Sequence, residues 1–324
     1  MRGTDVRDQI RHITASLDQP SVDGVNSYFV SRTARRAVTV AISGTGSDEL
    51  FAGYYWFTDM MREEQWRRSP ALNAMAAVAR YPALDPLILM RGGRNLLRAR
   101  NCAGFTTRYA TKFTNFDALD AAQLIAPDLR RTAQAGRSPH YDLESIDELS
   151  HGSTLERITG LCLRGYMNNQ LLRDLDAVSM AHSLEVRVPF LDPQVADAAL
   201  SLSENAKIGN GKVITNSGQK SYLEAGTKRI LMDVARPLLP EGFDRVPKRG
   251  FVMPFNAWLR GPLRDVLEET LGDHSVRRRG LLEVKKVSEI RRRFTDQPTR
   301  GQLDWMRPWL LMMIELWCRE VLQQ

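Results

Sequence analysis

Apolar residues recur along most of this chain at helical spacing, and one short run breaks the pattern with β-branched residues in near-continuous order. From Gly24 to Arg36, GVNSYFVSRTARR places Val25, Tyr28 and Phe29 on one face and closes on arginines, which suit a helix C-terminus. The next six residues, AVTVAI from Ala37 to Ile42, predict a strand buried on both faces. Helical spacing resumes at Asp48 and runs to Leu97, interrupted by Pro70, Pro82 and Pro86, and it returns from Leu155 to Met180. A last helix is predicted over Trp305 to Leu322, where WLLMMIELW reads as core. Between them, Ser201 to Gly226 is polar and glycine-rich and predicts a mobile loop. There is no internal repeat. The expected class is α/β and predominantly helical, with a strand–glycine turn–helix unit of the kind that holds nucleotides.

Composition narrows this picture. A chain of 324 residues that is 43% hydrophobic can bury roughly 75% of the surface its unfolded form exposes, enough for one large domain or two. The net charge of +7 is scattered. Its only dense runs, Arg277-Arg278-Arg279 and Arg291-Arg292-Arg293, read as solvated helix faces rather than a nucleic-acid track. Cys102, Cys162 and Cys318 are far apart and lack C-x-x-C spacing, which argues against a disulfide framework or a zinc site. No apolar run reaches the roughly 18 to 20 residues a bilayer span needs, and MRGTDVRDQIRHI has no signal-peptide core. A soluble, cytoplasmic protein without nucleic-acid or membrane partners is expected.

The candidate chemistry begins where the strand ends, in AISGTGSDELFAGY from Ala41 to Tyr54. Ser43-Gly44-Thr45-Gly46 would bring backbone N–H groups close to an anion, and a helix N-terminus would add positive potential. Asp48 and Glu49 would then hold Mg²⁺ against a polyphosphate. In the competing reading, Ser47 and Asp48 only cap the helix. A second stretch, LLRDLDAVSMAHSLEVRVPFLDP from Leu171 to Pro193, crowds Asp174, Asp176, Glu185, Arg187 and Asp192 among Met180, Leu184, Val186 and Phe190. Charges packed so densely need partners or a ligand, so an ion-pair cluster and a substrate site both remain open.

Three motifs, SGTGSDELFAGY, SMAHSLEVRVPFLD and VPKRGFVMPFNAWLRGPLRD (Val246 to Asp265), together resemble the synthetase domain of glutamine-dependent asparagine synthetases. PWLLMMIELWCRE resembles that domain's last helix, so the likeness covers nearly all of residues 1–324 as a single synthetase-like domain. The resemblance implies part of an ATP-pyrophosphatase-type fold, the adenine-nucleotide α-hydrolase-like arrangement, with ATP and Mg²⁺ as cofactors. It also implies a reaction: the aspartate side-chain carboxylate attacks the α-phosphorus of ATP, and ammonia then displaces AMP from β-aspartyl-AMP. Asp48 and Glu49 match the family's acidic positions, and Lys248 matches its lysine beside the reacting phosphate. Lys248 taken alone reads as a surface lysine. Gly250 and Phe251 would shape its loop, and Trp258 is expected in the core. Asp176, Glu185 and Arg187 are the candidate substrate contacts.

Three departures qualify the resemblance. The glutaminase domain with its N-terminal cysteine is not in the sequence, so ammonia, a glutaminase or an N-terminal half would be supplied in trans. The family's serine-glycine-glycine-x-aspartate-serine pyrophosphate loop does not occur, since Ser43-Gly44 and Ser217-Gly218 both continue differently; residues 1–324 are expected to start partway through the nucleotide fold. Thr45 stands where asparagine synthetases carry a glutamate, and it can act neither as a carboxylate base nor as a metal ligand. The acceptor could therefore be aspartate or another carboxylate. The alternatives are a related amide-bond synthetase of the β-lactam synthetase or lasso-peptide cyclase type, and a non-catalytic partner-binding chain.

Overall fold

A computed structural model describes residues 2–68, 105–110, 112–116, 118–135, 149, 151–209, 221–247, 250, 253–297 and 304–322. Helices dominate, and the sheet of the described residues has two parallel strands, β1 (Val40–Ile42) and β2 (Glu185–Arg187). The general class is as expected.

The largest core joins the two ends of the sequence. Helix α1 (Gly3–Ala15) turns Val6, Ile10 and Ile13 inward at helical spacing, and α2 (Gly24–Ala34) adds Val25 and Tyr28. Phe29 packs against this core from its edge. The helix Met306–Glu320 closes it with Trp309, Met312, Met313 and Leu316. Its Pro308 lies in the first turn, where no intrahelical N–H is needed. Glu315, buried on the same helix, accepts hydrogen bonds from Arg279 (3.1 Å) and Arg319 (2.7 Å), so two guanidinium groups compensate its burial. Trp258 is in this core, as its sequence context predicts.

A second cluster packs Ala52, Trp56, Phe57 and Met60 against Leu155, Ile158, Leu161 and Cys162. The third holds Leu50, Phe51 and Ala199, with Phe190 and Leu191 partly buried against it. The segment after β1 therefore crosses from one cluster to the other within two residues. Two helices fill it, α3 (Ser47–Leu50) and α4 (Tyr55–Arg68), where helical spacing was expected without a break from Asp48 up to Pro70; the break is at Ala52, whose φ is +56°. Positions 69–97 of the expected helical stretch lie outside the described residues.

Leu155 to Met180 is helical throughout, in three parts: Thr154–Cys162, a π-helix over Leu163–Leu171, and Leu172–Met180. The wider π turn carries Tyr166 and Gln170, both of which donate to Asp23 Oδ2, at 3.1 and 3.0 Å. The glycine-rich stretch 201–226 contains short helices at Glu204–Lys207 and Tyr222–Ala225, and positions 210–220 lie outside the described residues.

The strand expectation needs a correction. β1 pairs only over Val40–Ile42, opposite Glu185–Arg187, and it is not buried: Val40 is 39% and Ile42 78% exposed. The β-branched run reports strand propensity. Burial on both faces needs covering layers, and no described element covers these two side chains.

Candidate functional site

The turn after β1 is built outward from the sheet. Ser43 N–H extends the ladder by donating to Arg187 O at 2.8 Å. Ser43 Oγ then accepts from Thr45 N–H (3.2 Å) and shares a hydrogen bond with Thr45 Oγ1 (2.8 Å), which folds the chain back on itself. Gly46 adopts φ +96°, and a Cβ there would lie 2.6 Å from Leu191 Cδ2. Glycine is thus required both by the backbone and by the close seating of the turn on Phe190 and Leu191. A Cβ at Gly44 would meet nothing within 4 Å, so that part of the turn is open.

The two carboxylates of the turn separate. Glu49 is buried and held at both oxygens: Oε2 accepts from Gly46 N–H (3.1 Å) and Oε1 from Tyr54 OH (2.6 Å). It ties the glycine turn to the aromatic cluster of Tyr54, Trp56 and Tyr166. Asp48, with its side chain 27% exposed, faces outward, and its Oδ1 lies 2.9 Å from Lys228 Nζ. The same ammonium donates to Ser47 Oγ at 2.9 Å. Gly53 makes room for this contact, because a Cβ there would sit 1.9 Å from Asp48 Oδ1 and 2.3 Å from Lys228 Cε. Helix α3 has only four residues, too few for an appreciable dipole. The positive charge expected of a helix N-terminus is supplied by Lys228.

Lys228 and Gly53 are the site residues that the sequence reading misses. Lys228 lies 180 positions from Asp48, in TKRIL, with no motif to mark it. Its φ of +52° is rare for a lysine and is held by its own N–H, which donates to Phe51 O at 3.2 Å. Gly53 stands inside the quoted FAGY, and its need for space shows only once Lys228 is placed.

Other predicted residues fall as follows. Lys248 and Phe251 lie outside the described residues, as does Cys102. The residue before Lys248, Pro247, bridges to Ser221, the N-cap of the helical turn that carries Tyr222, and Lys228 Nζ is 6.0 Å from the Tyr222 ring. The third motif thus approaches the first. Gly250 is exposed. Asp176 is exposed on its helix; Glu185 and Arg187 pair with each other at 2.8 Å on the exposed side of β2. Asp192 caps the following helix by accepting from Gln194 N–H. Much of the crowded charge in the second motif therefore has local partners.

Three titratable groups shifted by burial lie at the start of α2 and on the helical stretch from Thr154 to Met180. Asp174 accepts from Ser21 Oγ, and burial pushes its carboxyl up to about 7. Burial also raises Asp23 above the usual carboxylate range and, with Glu49 second, raises the Cys162 thiol. No group of three or more His, Cys, Asp or Glu able to hold a metal occurs among the described residues. With Glu49 engaged, Asp48 is the acidic side chain of the turn left facing outward. One carboxylate fits Mg²⁺ carried by a polyphosphate, whose oxygens complete the coordination, better than a free ion.

Comparison with known proteins agrees with the motifs. The family model described as asparagine synthase matches residues 1–319. Asparagine synthetase [glutamine-hydrolyzing] 1 of Bacillus subtilis is 27% identical over 282 residues, covering 85% of this chain and 41% of that protein. A putative asparagine synthetase [glutamine-hydrolyzing] of Mycobacterium tuberculosis is 29% identical over 310 residues, covering 93% and 42%. Amidase chyE of Penicillium rubens is 22% identical over 304 residues, covering 89% and 43%. The chain spans about two-fifths of the length of these relatives. Among the described residues, no helix is long and apolar enough to cross a membrane.

Proposed function

Because this chain belongs to the asparagine synthase family, we propose that residues 1–324 form part of an ATP-dependent amide-forming synthetase. A substrate carboxylate oxygen attacks the α-phosphorus of ATP, the bond to the β-phosphate oxygen breaks, and pyrophosphate leaves. Ammonia then attacks the acyl carbon of the adenylate, loses a proton and releases AMP. Aspartate is the simplest acceptor, giving asparagine.

The roles follow from residue chemistry. At the open Gly44 end of the turn, the Gly44 N–H and the remaining hydroxyl hydrogen of the Ser43–Thr45 pair would donate to phosphate oxygens. Asp48 faces the metal, and Glu49 holds the turn in shape. Bound Mg²⁺ would neutralise charge developing on the departing pyrophosphate, and Lys248 would stabilise the same charge. The observation that carries this reading is the convergence of the motifs. The turn is seated on Phe190–Leu191, and Pro247 is bridged beside the residue next to Asp48's counter-ion. Thr45 favours a second reading, an acceptor other than aspartate, because its hydroxyl is spent on Ser43 and offers no carboxylate.

The test is aspartate-dependent ATP–pyrophosphate exchange in an enzyme completed by its upstream portion. Lys248→Ala should lower kcat by the equivalent of about 2 to 4 kcal/mol, as for other preorganised charge stabilisers. Asp48→Asn should weaken the Mg²⁺ dependence. Near-normal turnover in both would leave the turn as a helix cap, and exchange with a different carboxylate only would select the second reading.

A further inference from the structure

The contact between Lys228 and Asp48 has a consequence for how a metal can arrive. Lys228 is buried, takes a left-handed backbone conformation, and places Nζ 2.9 Å from both Ser47 Oγ and Asp48 Oδ1. Holding an L-residue in that conformation costs stability and persists only where the surroundings fix it. Here they do: the Lys228 N–H is bound to Phe51 O, and Gly53 leaves the space that any Cβ would take from the ion pair. The neighbouring carboxylate, Glu49, is only 1% exposed and turns its two oxygens to Gly46 N–H and Tyr54 OH, so it does not face an incoming cation.

Among the described residues, a divalent cation approaching Asp48 alone would therefore find one outward carboxylate, already shared with a fixed ammonium, and would be repelled by that like charge in a partly buried place. A cation arriving on a polyphosphate differs in two respects. The phosphate oxygens supply the remaining ligands, and their negative charge gives Lys228 a new partner as Asp48 turns to the metal. We propose that Lys228 is a resident counter-ion of Asp48 that keeps the turn closed to free divalent cations and admits the metal only together with a polyphosphate. This rests on the reading of Asp48 as the metal-facing carboxylate. Lys228 is in this sense a positioning and selectivity residue, since it acts through Asp48.

The test uses the full chain, with Mn²⁺ alone as probe, by calorimetry and electron paramagnetic resonance. The wild-type chain should bind Mn²⁺ no tighter than millimolar. Lys228→Met should bind at least tenfold more tightly, Lys228→Arg should behave as wild type, and the double variant Lys228→Met, Asp48→Asn should lose the gain. A Lys228→Met variant that folds but gains nothing, a gain that survives loss of Asp48, or tight Mn²⁺ binding at Asp48 in the wild type would each overturn the proposal. Circular dichroism reports whether the variants fold. If Lys228→Met does not, the ¹⁵N signal of the wild-type Lys228 ammonium decides: it should stay in place with Mg²⁺ at 10-fold over the protein and, in the enzyme completed by its upstream portion, shift when Mg²⁺ is added with ATP, and a shift with Mg²⁺ alone overturns the proposal. Unchanged turnover of Asp48→Asn in the completed enzyme would instead remove the functional reading itself. Lost turnover with no Mn²⁺ gain in Lys228→Met would remove only the counter-ion role.

Discussion

Asp174 shows what burial does to one carboxyl group. Only 3% of it is exposed, Ser21 Oγ donates to it, and Asp23 and Asp18 add negative charge nearby while Arg173 partly opposes them. The balance raises its pKa from the ordinary 3.8 to about 7. The folded state therefore holds a proton that the unfolded state gives up. The stability this contributes is complete below about pH 4, falls as pH rises, and is gone above about pH 7, a span on the order of 4 kcal/mol at one pKa unit per 1.36 kcal/mol. Asp23, also raised by burial, acts in the same sense. Asp174→Asn should flatten this slope: in urea denaturation it should gain stability over the wild type at pH 8 and show no such gain at pH 4. Parallel stability–pH curves for the two proteins would refute the assignment. At this scale the sequence was partly legible. Gly46, Asp48 and Glu49 were visible because a strand end, two glycines and two acids sit together within a few positions. Their division of labour was not, since it depends on Tyr54 and Lys228 choosing different carboxylates.

Element by element, helices followed their apolar period because that period is itself the cause of their burial. Val6, Ile10 and Ile13, or Trp309, Met312, Met313 and Leu316, face one core for the same reason that they recur. Two features escaped. A π turn at Leu163–Leu171 leaves the apolar spacing helical, and only the reach of Tyr166 and Gln170 to Asp23 reveals it. The exposure of β1 escaped because a near-continuous β-branched run cannot report whether a covering layer is present. Ile42, 78% exposed on a strand paired along one edge among the described residues, invites further strand pairing or apolar contact. In Ile42→Lys, stability should change by no more than about 0.5 kcal/mol, as for other exposed positions. Self-association should fall in sedimentation velocity at high concentration. A stability loss well beyond that, with unchanged sedimentation, would mean that the side chain is already covered.

Across the whole molecule, the first two motifs, more than a hundred residues apart, meet at one short turn and the third approaches it through Pro247; the presence of these motifs was the most legible fact of the sequence because each is long and their order is fixed. What remained illegible was the counter-ion, a lone lysine. The assembled geometry also bears on affinity. In the proposed function, Ser43–Gly46 and Asp48 hold the nucleotide and metal from one side, and a pyrophosphate loop of the serine-glycine-glycine-x-aspartate-serine kind would wrap the other. That loop does not occur within residues 1–324. Each charge-assisted hydrogen bond to an anion contributes roughly 1.5 to 3 kcal/mol, so several lost together weaken binding by several powers of ten. The polypeptide of residues 1–324 by itself should therefore bind ATP only at millimolar or weaker levels and support no pyrophosphate exchange with aspartate. A segment bearing the loop, added in trans or by fusion, should restore both. Micromolar, Mg²⁺-dependent ATP binding by residues 1–324 in calorimetry would show that the turn at Ser43, with Lys228 behind it, is a complete phosphate site.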